Sequence, residues 1–384
     1  MQLVLNELLD KLALPFVSSS AFSQARRHLA ASAFIELNQE AVVKVCYQAG
    51  DYATYKGFRL LAIDGSKIHL PDEADIRAEF GTTKAQIGFN QQIIAEQALG
   101  QASVLYDLLN RVALDSSLAE NDAYEVELAV DHLIHTQAND LILFDRNYPS
   151  YYWLAVLSHL NRHFVGRCSQ ASFKPVRNMF AGHGPDSQIV TLRCPSNQRQ
   201  RLRNLGLPET ITVRLVRLIL DTGEIEILIT SLLDEALFPT AEFKPLYQLR
   251  WGVETFYDVI KNRLLLENFT GRCVEAVKQD FYSTIFISGL ESLLTQEANI
   301  YLQDKSVPNK HIQQVNRAVS FNAIKNHVIE LFLSETDETL ILDKLTRLFL
   351  LKPSYIREGR VVPRPVSSSL KRLHFQRRRR KVCF

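Results

Sequence analysis

The alternation of apolar and polar positions divides this chain into stretches of different period. Leu3, Leu5, Leu8, Leu9, Leu12 and Leu14 open it with a helical face, and a Ser18-Ser19-Ser20 start signal introduces more helix toward Val43. From Phe58 the period shortens. Residues 58–63 and 67–70 read as two strands around a turn at Asp64-Gly65-Ser66. Residues 92–98 and 103–112 read as further strands, followed by a helix over about 119–135. The continuously apolar run Leu141-Ile-Leu-Phe144 predicts a short buried strand that delivers Asp145. A helix at 151–160 and a strand at 163–168 follow. Such interleaving predicts a mixed α/β sheet with covered faces.

The pattern changes again over residues 169–240. Loop residues separate strand candidates at 189–193, 211–220 and 225–231, with a hairpin turn at Asp221-Thr-Gly223, so this region reads as a β-rich insertion. A long helix follows from about Lys244. Leu246, Leu249, Val253, Phe256, Ile260 and Leu264 form its apolar stripe. Gly252 lies inside it, at a cost of about 1 kcal/mol relative to alanine. Helical pattern continues over 274–297 and 315–350. No internal repeat is visible.

The same helix carries Tyr247-x2-Arg250-x3-Glu254-x6-Lys261. At about 100° per residue these four side chains fall within about 60° of one another and form one polar stripe. Four fixed residue types at this spacing have roughly 0.002 expected chance matches in a chain of this length. An arginine four residues before a glutamate is the weaker orientation of a helical ion pair, so helix stability is a poor reason for it.

Asp64 ends one apolar run, Leu60-Leu-Ala-Ile63, and Asp145 ends another. Taken alone, Asp64-Gly65 is a plain hairpin turn and Asp145 a turn or cap residue. With Glu254 they make three carboxylates, which suits two Mg²⁺ ions at a phosphodiester. Mg²⁺ takes hard oxygen ligands, and two ions can stabilise both the attacking and the leaving oxygen.

Composition narrows the classes. The chain has 384 residues, 46% hydrophobic and 22% charged, an ordinary globular balance with a net charge of only +2. The charge is uneven: beyond Glu358 there is no acidic residue but nine Lys or Arg, among them Arg377, Arg378, Arg379 and Arg380. Such a tail suits nucleic acid and a salt-sensitive contact with it. Five cysteines without CxxC spacing argue against zinc or a disulfide framework and fit a reducing cytoplasm. No apolar run is long enough to span a membrane, and no Walker A or dinucleotide fingerprint appears, so no nucleotide cofactor is expected. His132 and His135 lack a ligand pattern and read as ordinary helix residues.

These motifs resemble a family, the DDE transposases of bacterial insertion sequences, in the insertion-sequence-four group marked by a Y-R-E-K signature. Ser20-Ala-Phe-Ser-Gln-Ala-Arg26, Ile63-Asp64-Gly65, Phe144-Asp145-Arg146-Asn147-Tyr148-Pro149 and Tyr247 through Gly271 carry the resemblance, which covers nearly the whole chain. It implies a ribonuclease-H-like core over 51–168 and 241–300. The β-rich insertion would occupy 169–240, with a helical DNA-binding region over 1–50 and a helical region with a basic tail over 301–384. It implies Asp64, Asp145 and Glu254 as a triad holding two Mg²⁺ ions, with Mn²⁺ as a substitute.

Tyr247, Arg250 and Lys261 would contact phosphates of the transposon end. Arg146, Arg26, Arg27 and the tail arginines are further DNA contacts. The implied partners are terminal inverted repeats, target DNA and a second copy of the chain in a synaptic dimer. The implied setting is the bacterial cytoplasm, on the nucleoid. Some relatives hold a flipped base on a tryptophan of the insertion. This chain has only Trp153 and Trp251, both outside 169–240, so Phe173, Phe180 or another arrangement would have to serve. A transposase-derived protein that binds DNA without cutting it, and a general nuclease, are the competing readings.

Overall fold

The computed structural model describes residues 2–48, 50–87, 92–306, 311–333 and 337–356. The chain divides into two compact units. One is built from the described parts of Met1–Gln48, His69–Leu99 and Val259–Phe384, the other from Ala49–Ile68 and Gly100–Asp258. The main strands in chain order are β1 (Leu60–His69), β2 (Thr82–Ile87), β3 (Gln92–Asp107), β4 (Val112–Glu120), β5 (Leu141–Phe144), β6 (His163–Cys168), β7 (Ser187–Arg193), β8 (Thr210–Ile219) and β9 (Ile225–Thr230).

The second unit is a mixed sheet with the order β3-β1-β5-β6-β9-β8-β7, and β4 pairs with β3. Its centre is parallel: Leu60 to Ile63 pair with Leu141 to Phe144, which pair in turn with residues 163–166. Parallel strands are covered on both faces, which explains the unbroken apolar runs. Successive side chains point to opposite faces. Leu60, Leu141, Leu143 and Val165 therefore share one face, where they pack with Leu246 and Tyr247.

Phe144 serves the other face. Its ring lies 5.8 Å from Trp153 of the helix Tyr151–His159 and 6.1 Å from Phe164. All three rings are fully buried, each contributing about 1.5–3 kcal/mol. A side chain at Gly166 would meet the Phe144 ring at 1.9 Å, so this aromatic layer requires glycine there. At the start of the parallel strands, Arg59 grips Asp140 in a buried bidentate pair at 2.8 and 2.6 Å.

In the first unit the helix Val274–Leu294 packs on Ser32–Asn38 and the π-helical turn Gln39–Val43. Gly289 permits this approach, since an added Cβ would stand 2.6 Å from Val42. β2 pairs antiparallel with β3, starting at Thr82↔Ala98. Further helices are Gln296–Ser306, Arg317–Leu333 and Glu338–Leu350. Among the described residues no helix is long and apolar enough to cross a membrane. Among the described residues Cys46, Cys168, Cys194 and Cys273 form no disulfide with one another.

Several local expectations change. Asp64-Gly65-Ser66 is not a turn: residues 60–69 form the single strand β1, because β3 runs for 16 residues beside it. The helix expected from residue 119 starts later, as Glu125–Asp131, because β4 extends to Glu120 and is held antiparallel to β3. His132 and His135 lie in a 3₁₀ turn. His132 Nδ1 is 2.6 Å from Asp115, and its Nε2 is 3.0 Å from Ser103. Histidine and serine are both about 1% exposed, so this is a buried structural link with no access for substrate.

The strands of the region read as an insertion join the main sheet. β9 pairs antiparallel with β6, and β8 and β7 follow. The hairpin turn lies between β8 and β9, with Gly223 at φ 82°.

Candidate functional site

Strand alternation builds one wall of the site. Asp64 lies four residues after Leu60, Asp145 four after Leu141, and Arg167 two after Val165. All three therefore project from the sheet face that packs against Leu246 and Tyr247. The segment covering that face is not one uniform helix. It runs as Phe243–Gln248, a tight junction, Trp251–Asp258 and a π-helical turn Val259–Arg263. At the junction Leu249, Arg250, Gly252 and Val253 donate to carbonyls three residues back, which overwinds the chain. Gly252 eases the close approach, since a Cβ there would be 2.9 Å from Leu108.

The stripe is accordingly not solvent-facing. Arg250 is 3% and Tyr247 5% exposed. Arg250 Nη2 donates to Glu254 Oε1 at 2.8 Å, and Nη1 stands 4.0 Å from Asp64 Oδ2. The guanidinium also lies over the rings of Tyr247 and Trp251 at 5.7 and 5.3 Å. The Tyr247 hydroxyl donates to the Phe144 carbonyl at 3.3 Å, and the Tyr257 hydroxyl donates to the Asp64 carbonyl at 3.1 Å.

Asp145 has its own cation. Arg167 Nη2 is 3.0 Å from Asp145 Oδ1, a close ion contact without hydrogen-bond geometry, while Nη1 donates to Glu226 at 2.7 Å. Arg167 was not singled out in the sequence, although its place in an alternating strand beside Asp145 is the signal that finds it. Tyr148 adds a buried hydroxyl with no hydrogen-bond partner among the described residues. Burial, with the nearby Asp64, Glu125 and Asp145 charges, raises its pKa well above the usual phenol value.

Burial dominates Asp64 as well and pushes its carboxyl up to about 7. Arg250 and the Gly65 N–H oppose that rise, while Glu254 and Asp145 add to it. A carboxyl raised from 3.8 to about 7 makes the folded state bind more protons than the unfolded state between those values. Stability of the metal-free protein therefore falls as pH rises through that window, by about 4 kcal/mol at most. Urea midpoints in EDTA at about pH 5 and pH 8 measure this. Asp64→Asn is expected to remove most of the difference, and an unchanged pH dependence would refute the assignment.

The donor set is oxygen-only and hard, the kind that suits a divalent cation. Among the described residues no three metal-ligating side chains stand close enough as placed to share one ion. Instead Arg250 stands between Asp64 and Glu254, and Arg167 holds Asp145. The residues fit a metal by kind, with two guanidinium groups in the positions of positive charge.

The other sequence candidates lie elsewhere. Lys261 is in the π-helical turn of the first unit, where burial lowers its pKa and Glu267 opposes that. Arg146 is exposed. Arg26 is committed to protein partners: it pairs with Asp280 at 2.9 Å, and it also donates to Gln279 and the Ala276 carbonyl. That makes it a clasp from the helix Ser19–Arg26 to the helix Val274–Leu294. Arg27 is exposed beside a cavity of about 320 Å³ that Phe22, Arg272 and Cys273 also line. Arg377, Arg378, Arg379 and Arg380 lie outside the described residues. Phe173 and Phe180 flank or end the short helix Lys174–Phe180.

Comparison with known proteins now adds a family. Residues 55–290 match the family model described as the transposase DDE domain. The chain is 27% identical over 281 residues to the transposase InsG for insertion sequence element IS4 of Escherichia coli strain K12. That match covers 72% of this chain and 61% of the relative. A solved piggyBac transposase synaptic complex with hairpin DNA matches at 10% identity and a TM-score of 0.42, over 76% of this chain and 57% of that one. The family match spans more than half of the chain and includes Asp64, Asp145 and the whole Glu254 helix. The chain belongs to the DDE transposase family.

Proposed function

We propose that this protein is the transposase of an insertion sequence, which binds the terminal inverted repeats of its element and cuts and joins DNA there. The observation that carries the reading is the approach of Asp64 and Glu254 to one guanidinium, with Asp145 close enough to influence the Asp64 carboxyl. Asp64, Asp145 and Glu254 would hold divalent metal, Mg²⁺ or Mn²⁺ in two ions per site. Bound there, the metal supplies Lewis acidity toward the phosphate and an activated water.

The chain's own groups do the remaining work. Water attacks phosphorus at the element end, the bond to the 3′ oxygen breaks, and a 3′-hydroxyl leaves. That hydroxyl then attacks a phosphorus of the opposite strand or of target DNA; a new P–O bond forms as the attacked strand's P–O3′ bond breaks, and its 3′-hydroxyl leaves with the proton of the attacking hydroxyl. Arg250 and Arg167, once released from the carboxylates, neutralise phosphate charge. Lys261, Tyr247, Arg146, Arg27 and the basic tail extend the DNA contact. The same reading includes a ribonuclease-H-like core, a synaptic dimer and action at the nucleoid.

A binding-only protein is the second reading, favoured by the arginines that occupy the carboxylates. One experiment separates them. Linear duplex carrying the DNA that flanks the gene is incubated with protein and Mg²⁺, Mn²⁺ or EDTA. Nicks at the element ends with either metal, and none in EDTA, are expected. Binding without cleavage under every condition would establish the second reading.

A further inference from the structure

Two tyrosines flank Glu254 on the segment that carries it. Tyr247 precedes it by seven residues and Tyr257 follows it by three. Each hydroxyl reaches a strand that bears an aspartate: Tyr247 the carbonyl of Phe144, just before Asp145, and Tyr257 the carbonyl of Asp64 itself. A carbonyl only accepts, so the direction of both bonds is fixed. Tyr247 belongs to the sequence signature; Tyr257 does not.

We infer that Tyr257 is a positioning residue of the cleavage centre, whose hydroxyl holds Asp64 in register with Glu254 through the main chain. The inference rests on the function proposed above. Tyr257 is 6% exposed, and its ring packs edge-on against Phe256 with centroids 5.6 Å apart. Phe256 in turn lies 4.7 Å from Tyr106 of β3. The aromatic contacts set the distance between helix and sheet, but rings can slide on one another. A hydrogen bond to one named carbonyl resists sliding.

The physical need is tight. Mg²⁺ demands oxygen ligands at about 2.0–2.1 Å in near-octahedral geometry. A shift of a few tenths of an ångström between helix and strand spoils a site that takes one carboxylate from each. Groups that orient metal ligands from behind typically govern affinity by about 10- to 100-fold. Arg250 cannot serve this purpose alone, because it pairs with the same carboxylate oxygens that a metal would claim. The Tyr257 bond uses the main-chain oxygen and makes no claim on the side-chain oxygens of Asp64, of which Oδ1 accepts the Gly65 N–H at 3.0 Å.

Tyr257→Phe keeps the ring and removes the hydroxyl. The test titrates the full-length protein with MnCl2 by calorimetry, at a temperature where every variant is folded. In parallel it records the Mn²⁺ concentration for half-maximal cleavage of the flanking-DNA duplex. The variant is expected to bind Mn²⁺ about tenfold more weakly and to need about tenfold more for half-maximal cleavage. Its maximal rate changes less, its duplex affinity stays unchanged, and its metal-free melting temperature falls only by the few degrees that one lost hydrogen bond accounts for. Wild-type Mn²⁺ affinity in the variant would overturn the inference, whether or not its melting temperature falls, because the tyrosine would then be packing alone. Glu254→Gln is the control. If it still binds Mn²⁺ and cleaves, the proposed function fails first. If it loses both while Tyr257→Phe is normal, only the role of Tyr257 fails.

Discussion

Glu254→Gln is expected to lower metal-dependent cleavage by about a thousandfold or more, with the fold and DNA-end binding largely intact. The amide has nearly the shape of the carboxylate but no charge. It can still accept the hydrogen bond that Arg250 now donates at 2.8 Å. Glu254 is partly exposed, so the change leaves no buried cavity and local packing persists. What disappears is an anionic ligand. Gel assays of end cleavage in Mn²⁺ and Mg²⁺, with duplex binding measured in parallel, check the prediction. Unimpaired cleavage would mean that the catalytic carboxylates lie elsewhere. Asp64→Ala is expected to behave the same way in cleavage, without sparing the pH dependence of stability.

Asp140→Ala is expected to destabilise the protein by about 3–5 kcal/mol. Asp140 and Arg59 are 2% and 6% exposed and meet through two short bonds. Asp140 also accepts the Gln137 N–H at 2.7 Å. Removing the aspartate takes the carboxylate from a buried guanidinium at the start of both parallel strands, and a hydrogen-bond acceptor from the Gln137 N–H. Asp64 and Asp145 directly follow the paired stretches Leu60–Ile63 and Leu141–Phe144, so loosening there should also reach the site. Urea unfolding reads the loss. Replacing both partners by apolar residues of similar size should recover much of it, because no lone charge remains. A single variant as stable as the wild type would show that water reaches the pair.

Parts of this protein are legible without its structure. Leu60-Leu-Ala-Ile63 and Leu141-Ile-Leu-Phe144 are short and apolar throughout, and only a strand covered on both faces accommodates such runs. The hairpin at Asp221-Thr-Gly223 is legible because Gly223 needs φ 82°, a local requirement. The β1 turn misled because Asp-Gly is a turn signal by itself, whereas the neighbouring β3 keeps the chain extended through it. The end of β4 misled for the same reason: its pairing with β3 outlasts the apolar pattern. Helical periodicity placed Tyr247, Arg250 and Glu254 on one stripe. It assumed a constant 3.6 residues per turn, which the overwound junction and the π-helical turn do not keep.

The sequence by itself determined the mixed α/β class, the buried strand that delivers Asp145, and the family, because these follow from hydropathy period and from residue types at fixed spacing. Only the tertiary structure decided that Arg250 is buried between two carboxylates, that Arg167 answers Asp145, that β7, β8 and β9 extend one sheet, and that Tyr257 bonds Asp64. Each of these depends on which distant segments meet. Burial and charge pairing are properties of that meeting, and the period along a single segment carries no information about its partner.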